Sequence, residues 1–103
     1  MNGALYQVEE IDLGSERLED ADGDIGPREI FSEFDCVTVL HLDGEAQISF
    51  SLEGREDFFD LVQGMRVYMP KEGRKRVLVI NQSQPTKKLI LFLGYQGRSE
   101  IWR

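Results

Sequence analysis

Residues 30–52 have the sequence IFSEFDCVTVLHLDGEAQISFSL, in which two apolar stretches flank an Asp-Gly pair. The first stretch, residues 30–42, is rich in β-branched and aromatic side chains, which are typical of strands. In residues 46–52 apolar and polar side chains alternate, as they do in a half-buried strand. Because Asp43-Gly44 is a favoured sequence for a two-residue type I′ turn, the whole stretch predicts a β-hairpin.

Similar signals recur along the rest of the chain. Glycine, proline and short polar stretches separate the apolar segments, and none has a convincing helical periodicity. Further strands are predicted at residues 4–13, 58–62, 65–69, 76–81, 89–95 and 101–102. About eight short strands with turns at short intervals predict an all-β fold, either an antiparallel sandwich or a barrel.

The length of 103 residues corresponds to one domain. Residues 30–103 are expected to form its β-sandwich core, and residues 1–29 an amino-terminal strand or arm followed by a long acidic loop. No apolar run approaches the roughly 20 residues that a membrane helix requires. A signal peptide is not recognisable either, so we expect synthesis in the cytosol and no membrane partner.

The charge is distributed unevenly along the chain. The net charge is −7, yet residues 1–60 carry 17 acidic and 3 basic side chains, whereas residues 61–103 carry 2 acidic and 9 basic ones. One explanation is that strands from the two halves pair and exchange favourable cross-strand contacts. The other is an acidic face of one copy that meets a basic face of another protein or copy, which rising ionic strength would weaken. Nucleic acid is not an expected partner of a net negative chain.

Two predicted strands are apolar on both faces. Residues 77–80 and 89–93 lack the alternation expected of a strand with one face in water. A neighbouring subunit is the favoured cover for the second face, because contiguous exposed apolar surface usually marks a contact site. A narrow closed barrel capped by the long loop is the alternative.

Few residues are suited to catalysis or to metal binding. Cys36 is the only cysteine, and its apolar neighbours favour a packed side chain over a nucleophile. His41, the only histidine, is expected to share a strand face with Val37 and Val39 and to be packed or interfacial, because a metal site would need further ligands. We therefore expect no catalytic residue, no metal and no cofactor, and predict that the chain is not an enzyme.

Three charged loops are the candidate interface. The acidic loop has an aspartate at every second position from 20 to 24, as calcium-binding loops do, but Ile25 and Phe31 stand where such loops require glycine and a bidentate acid. The second half supplies a basic turn and a further basic loop, which are either solubilising or in contact with an acidic loop of a neighbour. The candidate interface residues are Asp20, Asp22, Asp24, Lys71, Arg74, Lys75, Arg76, Lys87 and Lys88.

One stretch resembles the second sequence motif of the cupin superfamily, in which a glycine precedes a proline by six positions and glycine, histidine and asparagine follow. The matching residues are Gly64, Pro70, Gly73 and Asn81. One extra residue stands between the proline and the second glycine, and Arg76 occupies the place of the metal-binding histidine. The paired histidine of the first motif is missing around His41. The resemblance implies a jelly-roll, cupin-like fold without its metal site.

The last two thirds of the chain, from about residue 37, also resemble small cupin-like β proteins encoded by tailed bacteriophages. The shared features are an acidic first half, a glycine-then-proline turn, an asparagine that ends the next strand (Asn81) and an apolar strand that ends in glycine (Gly94). Such proteins are typically virion components, so the resemblance implies synthesis in the cytoplasm of a bacterial host and location in the virion. The resemblance implies a capsid decoration (cement) protein that forms a homo-oligomer, either a dimer or a trimer, and binds the major capsid protein, or else a tail or baseplate component that binds a tail protein.

The alternative hypothesis is a metal-independent cupin-like enzyme or a sugar-binding module. In the enzyme, His41 would act as a base and Tyr68 or Tyr95 as an acid.

Overall fold

The computed structural model describes residues 6–19, 25–50, 58–68 and 75–95, which contain eight β-strands. In chain order they are β1 Tyr6–Asp12, β2 Arg28–Ser32, β3 Cys36–Leu42, β4 Gln47–Phe50, β5 Phe59–Asp60, β6 Arg66–Tyr68, β7 Lys75–Ile80 and β8 Lys88–Gly94. The predicted all-β class is confirmed. The strand predicted at residues 101–102 lies outside the described residues.

The strands form two antiparallel sheets. The first sheet has the order β1-β8-β3-β6 and the second sheet the order β2-β7-β4-β5. Four of the pairs are nested, since β1 pairs with β8, β2 with β7, β3 with β6 and β4 with β5. The chain is thus one long hairpin rolled into two layers, which is the strand order of a jelly roll. The predicted sandwich is confirmed, and the described strands do not close into a barrel.

The β-hairpin predicted at Asp43-Gly44 is wrong. β3 pairs within the first sheet and β4 within the second, so the connection between them crosses from one layer to the other. A type I′ turn requires a positive φ at both central residues, and neither residue has one. Gly44 instead allows the side chain of Gln84 to lie close to the backbone, because a Cβ at position 44 would collide with the side-chain oxygen of Gln84. That oxygen accepts the N–H of Glu45 over 2.7 Å.

The strand predicted at residues 30–42 is in fact two strands in different sheets. A corner at residues 33–35 separates them, and the hydroxyl of Ser32 accepts a hydrogen bond there from the N–H of Phe34 over 3.0 Å. Such a bond from the backbone two residues onward stabilises a turn. The ring of Phe34, within the corner, is buried in the core. The apolar pattern of the sequence therefore continues through the corner and does not show the break between the two strands.

The core lies between the two sheets. β1 and the residue after it contribute Ile11 and Leu13, which are almost completely buried. This part of residues 1–29 therefore belongs to the sandwich rather than to a separate arm. The other buried core residues are Ile30, Phe34, Val37, Val39, Ala46, Ile48, Leu61, Val77, Val79, Leu89, Leu91 and Leu93.

Two turns have the same geometry but differ in the residue at their third position, which is Gly64 in one and Thr86 in the other. They span residues 62–65 and 84–87, and in each the N–H of the last residue donates to the C=O of the first, over 2.9 and 3.1 Å. The third residue has a positive φ, 89° at Gly64 and 69° at Thr86. These features define type II turns, which favour glycine at the third position.

Candidate functional site: the outer face of the first sheet

The side of the first sheet that faces away from the core carries large apolar side chains. Strand register places Tyr6 and Tyr68 in one row across the sheet, and Val8 and Phe92 in the next. The outer apolar face, as we name this surface, consists of Tyr6, Val8, Leu40, Tyr68, Ile90 and Phe92. Its members on β1, β3 and β6 are between 50% and 52% exposed, while those on β8 are half-buried.

Two aromatic rings of the outer apolar face contact each other, and charged side chains lie beside the face. The ring of Tyr6 stacks on that of Phe92, with 5.3 Å between the centroids and 20° between the planes. The ammonium group of Lys88 lies 3.1 Å from the carboxylate of Glu10 at one end. The exposed Arg66 on β6 lies at the end of the row that contains Val8 and Phe92. An apolar centre with a charged rim is typical of a protein contact surface.

Part of the uneven charge is balanced within the fold. Because the strand pairs are nested, acidic strands of the first half lie beside basic strands of the second half. Glu10 on β1 contacts Lys88 on β8, and Glu29 on β2 lies 3.9 Å from Arg76 on β7. These two contacts confirm the cross-strand explanation for these pairs. Both are exposed, so each contributes at most about 1 kcal/mol.

The predicted interface residues that the structure describes do not form one patch. Outside the described residues lie Asp20, Asp22, Asp24, Lys71, Arg74 and the side chain of Lys75. Arg76 is near the start of β7 in the second sheet, whereas Lys87 and Lys88 are at the start of β8 in the first.

His41 does not share the inward face of β3, so that prediction is wrong. A bulge interrupts the register after Val39, and Ile90 of β8 faces His41 rather than Leu40. A bulge adds one residue to a strand, which reverses the alternation beyond it. His41 therefore lies on the outer side beside Leu40, and it lines neither of the two cavities described below.

The acid–base pair of the alternative enzyme hypothesis is not brought together. Tyr68 pairs with Cys36, at the opposite end of β3 from His41, which is roughly 15 Å along the strand. Tyr95 packs edge-on against Phe34, with 4.8 Å between the ring centroids. His41 therefore has neither tyrosine within reach for proton transfer.

Cys36 is buried, in agreement with its predicted packing role. Burial raises the pKa of its thiol, although the charge of Arg66 and a hydrogen bond with Thr38 act in the opposite direction. A thiol with a raised pKa is mostly protonated near neutral pH and is a poor nucleophile.

Asp43 ties the crossing between the two sheets to β8. Its Oδ1 accepts the backbone N–H of Lys88 over 2.8 Å, and its Oδ2 lies 3.6 Å from Nε2 of His41. The hydrogen bond from Lys88 lowers the pKa of the Asp43 carboxyl, with a further contribution from His41.

A cleft of about 620 Å³ opens at one end of the second sheet, and we name it the polar cleft because most of the residues that line it are polar. Gln47 and Ile80, which pair across β4 and β7, form its floor. Asp60 of β5 stands on one side and accepts the side-chain N–H of Gln47 over 2.8 Å. On the other side Arg17 forms a backbone bridge with Asn81. No motif indicated this cleft, because its lining comes from four separate segments of the chain. A smaller groove of about 440 Å³ lies beside Glu10 and Lys88.

Two side-chain amides hold the loop next to the cleft. The amide of Asn81, recognised in the sequence as the end of a strand, donates to three backbone carbonyls over 2.8–3.1 Å. Gln84 accepts the N–H of Glu45 and donates to its C=O, each over 2.7 Å. The loop after β7 is thereby fixed to the crossing between β3 and β4.

The described residues contain no group of three or more His, Cys, Asp or Glu side chains placed to hold a metal ion. In the same part of the chain, no helix has the length and apolar character needed to cross a membrane. Comparison of the chain with protein families, with curated proteins and with solved structures finds no match. The outer apolar face and the polar cleft are the candidate binding surfaces of the described residues.

Proposed function

We propose that this chain is a non-enzymatic structural protein of a tailed-phage virion, a capsid decoration protein that self-associates and binds the capsid surface. The observation that supports this proposal best is the outer apolar face. The jelly-roll strand order and the resemblance of the last two thirds of the chain to phage β proteins support it further.

The outer apolar face has the character of a docking surface. Its exposed side chains come from three strands of one sheet and form adjoining rows. Monomeric proteins rarely leave large contiguous apolar surfaces in water. The sheet beneath is rigid because its inner side packs on the core, so little conformational entropy is lost when the face binds. The proposed occupant is the capsid protein, which offers a broad and repeated surface.

The test is co-sedimentation of purified protein with phage particles that lack it. Leu40→Lys places a charge in the outer apolar face and should abolish particle binding. Val62→Lys is the matched control, since Val62 is also exposed, at 60%, but lies in the connection between β5 and β6. That control should bind like the wild type.

Mass spectrometry of intact virions and of separated capsids and tails tests the location. A decoration protein is expected with the capsids, and recovery with the tails would instead support the tail or baseplate hypothesis. If the chain were absent from virions and the wild type did not bind particles, the proposal would be abandoned.

The polar cleft favours a second candidate function, a sugar-binding module. Side-chain amides and carboxylates such as those of Gln47, Glu45 and Asp60 suit the hydroxyl groups of a saccharide. A glycan array followed by calorimetry tests this function. Asp60→Ala should remove any binding, whereas Glu33→Ala, at an exposed corner, should not. A wild type that binds no glycan would eliminate this candidate.

A further inference from the structure

In the described part of the chain, β1 is an edge strand with one unpaired side. Among the strands that the structure describes, only β8 pairs with it. Tyr6 and Val8 are half exposed on this strand. Proteins usually blunt an exposed edge with charged residues or proline. On the outward-facing side of β1, Glu10 and Asp12 do so at one end, whereas Tyr6 and Val8 at the other end are uncharged.

The hydrogen bonds of β8 show which groups of β1 point to the open side. The N–H of Leu13 donates to the C=O of Lys87 over 2.9 Å. These two residues are the next pair after Asp12 and Lys88 in the register of β1 and β8. The N–H of Lys88 points away from β1, to Asp43. In an antiparallel ladder hydrogen-bonded and non-bonded pairs alternate. The even-numbered residues of β1, from Tyr6 to Asp12, therefore present their N–H and C=O groups to the open edge.

We infer that two copies associate through this edge, with their β1 strands antiparallel about a two-fold axis at Val8. The inference rests on the self-association in the proposed function and identifies the surface that one copy presents to the other. Val8 then pairs with Val8 of the second copy, and Tyr6 pairs with Glu10. Each of these pairs exchanges two N–H···O bonds. The two first sheets become one continuous sheet.

Charge selects this register. An axis at Val8 places Gln7 opposite Glu9 of the second copy, so an amide donor faces a carboxylate. The same two side chains already bond within one strand, over 2.7 Å. With the axis at Glu9 or at Glu10, that glutamate would lie opposite the same glutamate of the second copy. Two like charges directly opposite each other are destabilising. Moving the axis toward Tyr6 shortens the overlap between the described residues of the two β1 strands.

Cysteine cross-linking tests the contact. Directly opposed residues of a hydrogen-bonded pair have Cα atoms about 5.5 Å apart, a separation that a disulfide spans. Mild oxidation of Val8→Cys should give a covalent dimer. The wild type, whose Cys36 is buried, and the exposed control Val62→Cys should not.

Charge substitution at the self-opposed position gives an independent test. In sedimentation velocity, Val8→Lys alone and Val8→Glu alone should lose the dimer, because like charges then face each other. An equimolar mixture of the two variants should restore it. Leu40→Lys, which changes the outer apolar face two strands away, should remain dimeric.

The outcomes separate this inference from the proposed function. A wild type that is monomeric at every concentration overturns both the self-association and the edge contact. A wild-type dimer that withstands both Val8 substitutions, without a Val8→Cys cross-link, overturns the edge contact alone.

Discussion

At the scale of single residues, Thr86 and Gly64 offer a direct comparison. Both occupy the third position of a type II turn. A positive φ costs a residue with a Cβ roughly 1–2 kcal/mol and costs glycine nothing comparable. Thr86→Gly should therefore raise the free energy of unfolding by about 1 kcal/mol. Gly64→Ala should lower it similarly, since no atom lies within 4 Å of the added Cβ. Urea denaturation measures both, and unchanged midpoints would contradict the turn assignment.

Asn81 provides a second test at this scale. Its buried amide donates to the carbonyls of Leu13, Ser15 and Gln82. Asn81→Ala leaves these acceptors without their donor and should lower the free energy of unfolding by about 1–3 kcal/mol. The neighbouring Gln82→Ala is the control, because its exposed side chain can be removed with little effect. Equal losses in the two variants would show that the amide is not important.

The pKa of Asp43 predicts a dependence of stability on pH. A folded-state pKa below the ordinary value of 3.8 means that the ionised carboxylate stabilises the fold. This contribution is complete above pH 3.8 and is lost as the pH falls through the lowered folded-state pKa. Asp43→Asn should therefore be less stable than the wild type at pH 7, and the difference should shrink below pH 3.8. Thermal denaturation across this range measures it, and a constant difference would refute the assignment.

At the scale of elements, the bulge in β3 predicts which deletions are tolerated. Leu40 is the extra residue, so its deletion leaves Val39 and His41 opposite their present partners on β8. Deletion of Thr38 instead moves the preceding residues to the wrong side, because a shift of one residue exchanges the faces of a strand. The Leu40 deletion should retain a cooperative unfolding transition, and the Thr38 deletion should abolish it. Circular dichroism distinguishes the two results.

The elements also show how far local sequence patterns reach. Alternation and composition located β4, β7 and β8, because those signals are contained in each strand. They failed at Ser32, where a hydrogen bond stabilises a corner between two strands. They also failed at Asp43-Gly44, where the chain passes from one sheet to the other although the sequence favours a hairpin. Strand pairing depends on distant residues, so a local turn preference did not determine it.

At the scale of the whole molecule, the site was predictable only in part. The two-sided apolar character of residues 89–93 indicated a covered surface, and Ile90 and Phe92 do lie on the outer apolar face. Leu40 lies on that face because of the bulge in β3, and no pattern in the sequence predicts that bulge. On β7, Leu78 points outward and is nevertheless buried, so an apolar outer position alone does not identify a contact surface.

The net charge of the whole molecule sets the response of self-association to salt. Two copies of charge −7 repel each other, and the edge contact at Val8 joins no opposite full charges. Raising the ionic strength from about 0.05 to 0.5 M screens the repulsion and should strengthen the dimer. An interface between an acidic and a basic face would weaken instead. Sedimentation equilibrium at both salt concentrations distinguishes the two interfaces.

The nested strand order has a kinetic consequence. The innermost contact, Gln47 with Asp60, joins residues 13 positions apart, whereas Glu10 and Lys88 on the outermost pair are 78 positions apart. Loop-closure entropy grows with that separation, so folding is expected to begin between β4 and β5 and to finish with the docking of β1. The edge that joins two copies is then the last part of each chain to form, and assembly must wait for folding to end.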